Sequence, residues 1–185
     1  MEELRRLLTL FDKNIIYCLP FVILTLIVIR LLFKNRDTIY TALQVIRWTI
    51  IGYTAISLLL FLIGIVLEPE EYTIVNRATG PYAWAYWMML FAAFILPFSL
   101  LNNKLGSKIW YLLLISILMK IGSFFEFYVI ILTSISRNYW TEESVWKFDY
   151  LYPLLVFAFQ GILLAILLIG GIKLWERIKE TTNRG

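Results

Sequence analysis

Polar interruptions cut the chain into long apolar runs. The first extends from Ile15 to Phe33, broken only by Arg30 near its end, where a long cationic side chain reaches the headgroups. The second, Trp48 to Leu67, has Arg47 at its mouth and stops at Glu68-Pro69-Glu70-Glu71. The third, Pro81 to Leu101, contains no charge and carries Pro97 late, where a missing N–H frees a carbonyl and favours a bend. The fourth reaches from Ile109 towards Ser134 and is interrupted by Lys120 and Glu126; the fifth, Tyr150 to Ile172, has Gln160 as its main polar residue. Each run is near the roughly 20 residues that a helix needs to cross a bilayer. The pattern predicts an all-α polytopic membrane protein, with five transmembrane helices in a bundle over residues 15–175. Before it, residues 1–14 place Leu4, Leu7, Leu8 and Phe11 at helical spacing, which predicts a short amphipathic helix lying at the interface. After it, residues 176–185 read as a cytoplasmic tail.

Composition narrows the class further. Of 185 residues, 61% are hydrophobic and 16% charged, against about 45–50% and 25% in soluble domains, and the mean hydropathy is +0.77. A soluble enzyme, a disordered tail and a secreted disulfide scaffold are excluded. There is no histidine, and Cys18 is the single cysteine. An internal disulfide, Cys/His zinc sites, cysteine-ligated clusters, bis-His haem ligation and Ser-His-Asp chemistry therefore lack their residues. No nucleotide-binding or hydrolase motif is present, so no catalytic residue, metal site or cofactor is expected on this chain alone. The net charge of +4 is the kind that cytoplasmic loops produce, and no nucleic-acid partner is expected.

Charge also orients the spans. The first run lacks a small-x-small cleavage site before Lys34-Asn35-Arg36 and reads as a retained helix. Five crossings place the termini on opposite sides. One face holds the N-terminal segment and the 68–80 and 135–149 loops, where acids outnumber bases. The other gathers Arg30, Lys34, Arg36, Arg47, Lys104, Lys108, Lys173, Arg177, Lys179 and Arg184. The positive-inside rule makes this second face cytoplasmic, with the N-terminus outside and the C-terminus inside. Trp48, Trp84, Trp110 and Trp175 lie at run ends as interfacial anchors. Gly161 and Ala165, with Ala158, and likewise Gly52 and Ala55, form small-residue stripes that let another backbone approach, within this chain or from another subunit.

The residues that demand explanation are the charges within a span, each costing about 2.5–3.5 kcal/mol at the bilayer centre. Lys120 lies roughly 16 Å into the fourth helix, near the midplane, and Glu126 about 9 Å further out. Their side chains point some 120° apart, so a direct intrahelical bridge is not expected. Depth matching pairs Glu126 with Gln160; Ser123 lies one turn from both charges, and Tyr128 two residues beyond Glu126. No acid of this chain matches the depth of Lys120, which leaves a neutral amine, carbonyl partners or a carboxylate from another subunit. Burial shifts both groups towards exchange, so Glu126, Lys120, Gln160, Ser123 and Tyr128 are the candidates for a proton relay; the alternative is a set of structural polar contacts. The aromatic run Tyr82-Ala83-Trp84-Ala85-Tyr86-Trp87 suits interfacial packing, or the flank of a quinone.

From Ala78 to Tyr139 the order of residues becomes familiar. Thr79-Gly80-Pro81-Tyr82-Ala83-Trp84-Ala85-Tyr86-Trp87 opens a helix that closes past Ile95-Leu96-Pro97. After a basic loop come Ile121-Gly122-Ser123-Phe124-Phe125-Glu126-Phe127-Tyr128-Val129-Ile130-Ile131 and Thr133-Ser134-Ile135-Ser136-Arg137. This resembles the C-terminal half of polysulfide-reductase-like (NrfD-type) membrane subunits, particularly the ActC subunit of alternative complex III. The specific match covers about a third of the chain. The family commonly has an acid followed by Arg where Glu126-Phe127 stands, and often His where Ser136 stands. The resemblance implies a bacterial cytoplasmic (inner) membrane protein whose partners are other membrane subunits, with haem, iron–sulfur or quinone carried by those partners. It maps Glu126 alone onto a proposed proton route, since the family's quinone residues lie mainly in a second bundle. The expected role is a scaffold, and a proton relay, in a respiratory quinone-linked complex. Two alternatives stand beside it: a non-catalytic membrane anchor for another envelope complex, and a small oligomeric transporter.

Overall fold

A computed structural model describes residues 2–33, 36–67, 79, 83–122, 125 and 151–182. Among these residues every regular element is helical and no strand occurs. Helix α1 (Glu2–Asn14) leads through a 3-10 turn (Ile16–Cys18) into α2 (Leu19–Leu32). Pro20 sits in the first turn of α2, where its missing N–H has no intrahelical partner to lose. Helix α3 (Arg36–Leu67) follows and packs on α2. Helix α4 (Ala83–Leu90) passes into a π-helical segment (Phe91–Ile95) and then a 3-10 stretch (Leu96–Leu101). A single turn, α5 (Asn103–Gly106), connects to α6 (Ile109–Leu118), and α7 (Leu151–Thr182) follows.

Four stretches among the described residues are long and apolar enough to cross a membrane: Glu3–Leu32, Asp37–Leu67, Ala83–Leu101 and Leu154–Thr182. Only 17% to 33% of their most apolar windows is buried by the chain itself. Most of that surface must therefore meet lipid or another subunit, because soluble monomers rarely expose apolar patches beyond a few hundred Å². Trp48, Trp84, Trp110 and Trp175 are all more than half exposed, the placement that an interfacial anchor requires.

The elements overrun the apolar runs. Helices α3 and α7 each have 32 residues, about 48 Å at 1.5 Å per residue, well beyond a hydrocarbon core of about 30 Å. Helix α3 starts at Arg36 rather than at Trp48, and α7 continues to Thr182 through the segment read as a tail. The fourth run is helical from Ile109 to Leu118 and turns at Met119 and Lys120 before resuming at Ile121 and Gly122. Ser123, Glu126 and Tyr128 lie outside the described residues. Around Pro97 the backbone leaves α geometry altogether. Proline cannot donate to the carbonyl four residues back, and the helix responds with wide π-type bonding before it and tight 3-10 bonding through it.

Two close approaches hold the bundle together. A Cβ on Gly161 would lie 2.6 Å from the Phe21 Cβ and 3.0 Å from the Cys18 carbonyl, so α7 and α2 meet at a distance that only glycine permits. Ala165, one turn on, is fully buried in the same seam. The Gly161–Ala165 stripe thus packs within the chain. Gly52 has nothing within 4 Å of its Cβ position, so its stripe faces away from the chain's own described helices.

Arg47 makes the other connection. It is 5% exposed, and its guanidinium donates to the Leu100 carbonyl (2.7 Å), the Leu101 carbonyl (3.1 Å), Asn103 Oδ1 (2.8 Å) and Gln44 Oε1 (3.2 Å). The two carbonyls end the 3-10 stretch and lack helical partners, so a planar fork of donors satisfies them while meeting the negative end of the helix dipole. Gly106 leaves room for this, since a Cβ there would fall 2.6 Å from both Arg47 Nε and the Leu100 oxygen.

Candidate functional site

The turn that ends α6 carries Lys120 into the bundle, and α1 supplies its partner. Lys120 Nζ forms an ion pair with Asp12 Oδ1, with the two side chains 11% and 21% exposed. The Tyr53 hydroxyl, from the middle of α3, donates to the same oxygen at 2.7 Å. The ammonium also lies 4.6 Å from the centre of the Tyr17 ring and 5.6 Å from that of Tyr53, within cation–π range of both. Phe11 stacks on Tyr53 at 6.0 Å and fixes the ring that holds Asp12. Four elements thus converge on one charge pair in largely apolar surroundings.

No acid was expected at the depth of Lys120, and the structure corrects this. Placing residues 1–14 flat on the interface removed Asp12 from the depth comparison. In the structure α1 leads through a single 3-10 turn into α2, Asp12 meets Tyr53 of α3 and Lys120 of the α6 turn, and Arg5 and Thr9, at helical spacing before it, line one cleft with residues of the same two elements. The spacing was visible in the sequence; the direction of α1 was not. A charge in this partly buried position is tolerated because its opposite charge and the two ring faces replace part of the lost hydration.

Gln160 belongs to a second polar group on the neighbouring side of α1. Its Oε1 accepts from the Cys18 thiol at 3.5 Å, and its Nε2 donates to Asn14 Oδ1 at 3.2 Å. Tyr17, the residue beneath Lys120, stacks on Phe157 of α7 at 5.4 Å. The structure therefore brings Lys120 and Gln160 to adjoining polar clusters, joined through the end of α1. The expected Glu126–Gln160 bond lies outside the described residues, as do the roles assigned to Ser123 and Tyr128. On α3, the buried hydroxyls of Thr54 and Ser57, next to Tyr53, form no hydrogen bond with the described residues.

Chemically, the pair has two states of the same zero total charge, an ammonium–carboxylate and a neutral amine–carboxylic acid, interconverted by one proton moving between Nζ and Oδ1. The Tyr53 hydroxyl stabilises the carboxylate by donating to it. Among the described residues no group of three or more His, Cys, Asp or Glu side chains could hold a metal. The chain matches no family model, no curated protein and no solved structure.

Proposed function

We propose that this chain is an integral membrane subunit of a multisubunit assembly, a respiratory quinone-linked complex of the NrfD type in the bacterial inner membrane, in which the Asp12–Lys120 pair exchanges protons. In this reading the chain crosses five times, the part-described fourth run completing the bundle, with the N-terminus outside and the C-terminus inside. Haem, iron–sulfur centres and quinone reside in partner subunits. The observation that carries the reading is the Asp12–Lys120 ion pair, partly buried between helices at the turn that follows α6. An irregular backbone turn at membrane depth persists where it is enclosed by protein or lines a cavity, and ionisable groups there mark proton or ion pathways. The outward Gly52 stripe and the large unburied span surfaces fit a subunit that packs against others.

Gentle detergent extraction followed by identification of retained proteins tests the placement, with co-purifying haem absorbance and iron–sulfur subunits as the expected result. In the reconstituted assembly, Asp12→Asn should leave electron transfer and composition intact but reduce proton translocation about tenfold or more, with Asp12→Glu restoring it. Unchanged proton movement in Asp12→Asn refutes the exchange role. Absence of redox partners refutes the respiratory placement and leaves the anchor reading. Solute uptake by the purified chain alone in liposomes replaces both with a transporter.

A further inference from the structure

Where α2 packs beside α6, the two helices leave an open groove of about 520 Å³. Its lining is largely apolar, from Ile109, Trp110, Tyr111 and Leu114, and its other residues are Arg30, Ser107 and Lys108. The polar residues gather at one end of α6. Arg30 belongs to the last turn of α2, and Ser107 and Lys108 immediately precede the first turn of α6. Leu114 lies five residues into α6 from Ile109, about 8 Å further along. Trp110 and Leu114, spaced to share one face of α6, are 68% and 49% exposed. The groove thus passes from a basic mouth to an apolar floor.

Neither cation is answered within the chain. The side chains of Arg30 and Lys108 make no ion pair or hydrogen bond with the described residues, and the groove's lining contains no carboxylate. Asp37 lines an adjoining cleft that shares Arg30 and Ser107, so the two clefts together keep an excess of positive charge. The first turn of α6 adds to it, having no side-chain cap and no acidic residue to offset its positive dipole end. A basic mouth above exposed apolar surface fits a molecule with an anionic head and a hydrocarbon tail. For a chain with four helices long and apolar enough to cross a membrane, the bilayer supplies such molecules, and an open groove is filled from the side.

We propose that this groove holds one anionic phospholipid, its phosphodiester between Arg30 and Lys108 and an acyl chain along Ile109, Trp110 and Leu114. A zwitterionic lipid is disfavoured, because its head-group ammonium is brought towards two cations that its phosphate alone must balance. The site needs the chain to lie in a bilayer and needs nothing from the proton-exchange reading. Bound there, the head group ties the end of α2 to the start of α6.

Native mass spectrometry of the full chain in mild detergent, titrated separately with dioleoyl phosphatidylglycerol and dioleoyl phosphatidylcholine, tests the proposal. The first equivalent of phosphatidylglycerol is expected to bind about tenfold or more tightly than that of phosphatidylcholine. Arg30→Gln and Lys108→Gln should each weaken phosphatidylglycerol about fivefold while leaving phosphatidylcholine unchanged, and together they should abolish the preference. Both side chains are exposed, so neither change disturbs the core. Lys179→Gln, which removes the same charge from an exposed position of α7 outside the groove, should change nothing. Inorganic phosphate in excess should not displace the lipid, because it lacks the acyl chains. Equal binding of the two lipids overturns the proposal, and so does an equal loss in Lys179→Gln, which would show that net charge alone is read. Displacement by inorganic phosphate overturns it in favour of a simple ion site.

Discussion

Neutralising one member of the Asp12–Lys120 pair should be far more damaging than neutralising both. In Asp12→Asn the Lys120 ammonium remains where only 11% of its side chain reaches the surface. Leaving one charge of a buried pair uncompensated costs about 3–5 kcal/mol. Two features pull the value to the lower end. Asp12 keeps 21% exposure, and the Tyr17 and Tyr53 rings still attract the ammonium, worth about 0.5–1 kcal/mol each. A loss of about 3 kcal/mol is therefore expected for Asp12→Asn, and a comparable one for Lys120→Gln, which strands the carboxylate with a single donor from Tyr53. The double variant carries no net-charged group there and should lose only about 1 kcal/mol, giving a coupling energy of several kcal/mol between the sites. Unfolding of the four proteins in mixed micelles with rising SDS fraction, followed by the fluorescence of the 7 tryptophans, measures the cycle. Single losses that sum to the double loss within about 0.5 kcal/mol would mean that the two side chains do not interact, and the site as described would be refuted.

Gly106→Ala should disrupt the Arg47 clamp, since the added methyl meets Arg47 Nε and the Leu100 oxygen at 2.6 Å; a stability loss of about 2 kcal/mol or more in the same micelle assay is expected, and a neutral result contradicts the packing. Arg47→Lys keeps the charge but loses the planar fork, and should be destabilised by about 2 kcal/mol through the orphaned carbonyls. Gly161→Val should separate α7 from α2 and lower the yield of folded protein, whereas Gly170→Val, with nothing within 4 Å of its Cβ position, should be tolerated to within about 1 kcal/mol; equal effects at both positions would rule out the close seam. Cys18 is fully buried, so maleimide should label it about tenfold or more slowly than a Trp175→Cys reporter in a Cys18→Ala background. Fast labelling of Cys18 would place α1 and α7 apart.

Four of the five runs were legible as helices long and apolar enough to cross a membrane, because a long apolar run leaves a chain in lipid no other regular conformation that satisfies its backbone. Pro97 likewise announced a local departure from α geometry, though the π-helical segment before it follows from how the bonding ladder recovers, which no single residue states. Gly161 and Ala165 were legible as a stripe, and only the fold could assign them to α2 rather than to another subunit. Arg47 shows the opposite case. As a residue at a span mouth it counted simply as one cytoplasmic charge, because its partners are backbone carbonyls more than fifty positions away that carry no signature of their own. Gln160 was expected to meet Glu126, a contact outside the described residues; its described partners are Asn14 and Cys18, at and just beyond the end of the segment that hydrophobic spacing had laid on the membrane surface. Asp12 lies on that segment too, and its contact with Lys120 depends on how α1 packs in the fold. Depth along a helix can be counted from sequence; the tilt of a short amphipathic helix depends on what stands beside it.

The pairing of Asp12 with Lys120 spans 108 positions, and a ribosome working at about 5–20 residues per second takes roughly 5–20 s to bridge that gap. During this interval the first hairpin must hold its acid without the base that later answers it, supported by Tyr53 and by the contacts of α1 and α2 alone. Chains that stop short of the α6 turn leave the nascent hairpin in that unfinished electrical state. Completion of the site is therefore an event of the chain's second half, and a membrane quality-control protease that senses stray polarity would find its target in the first.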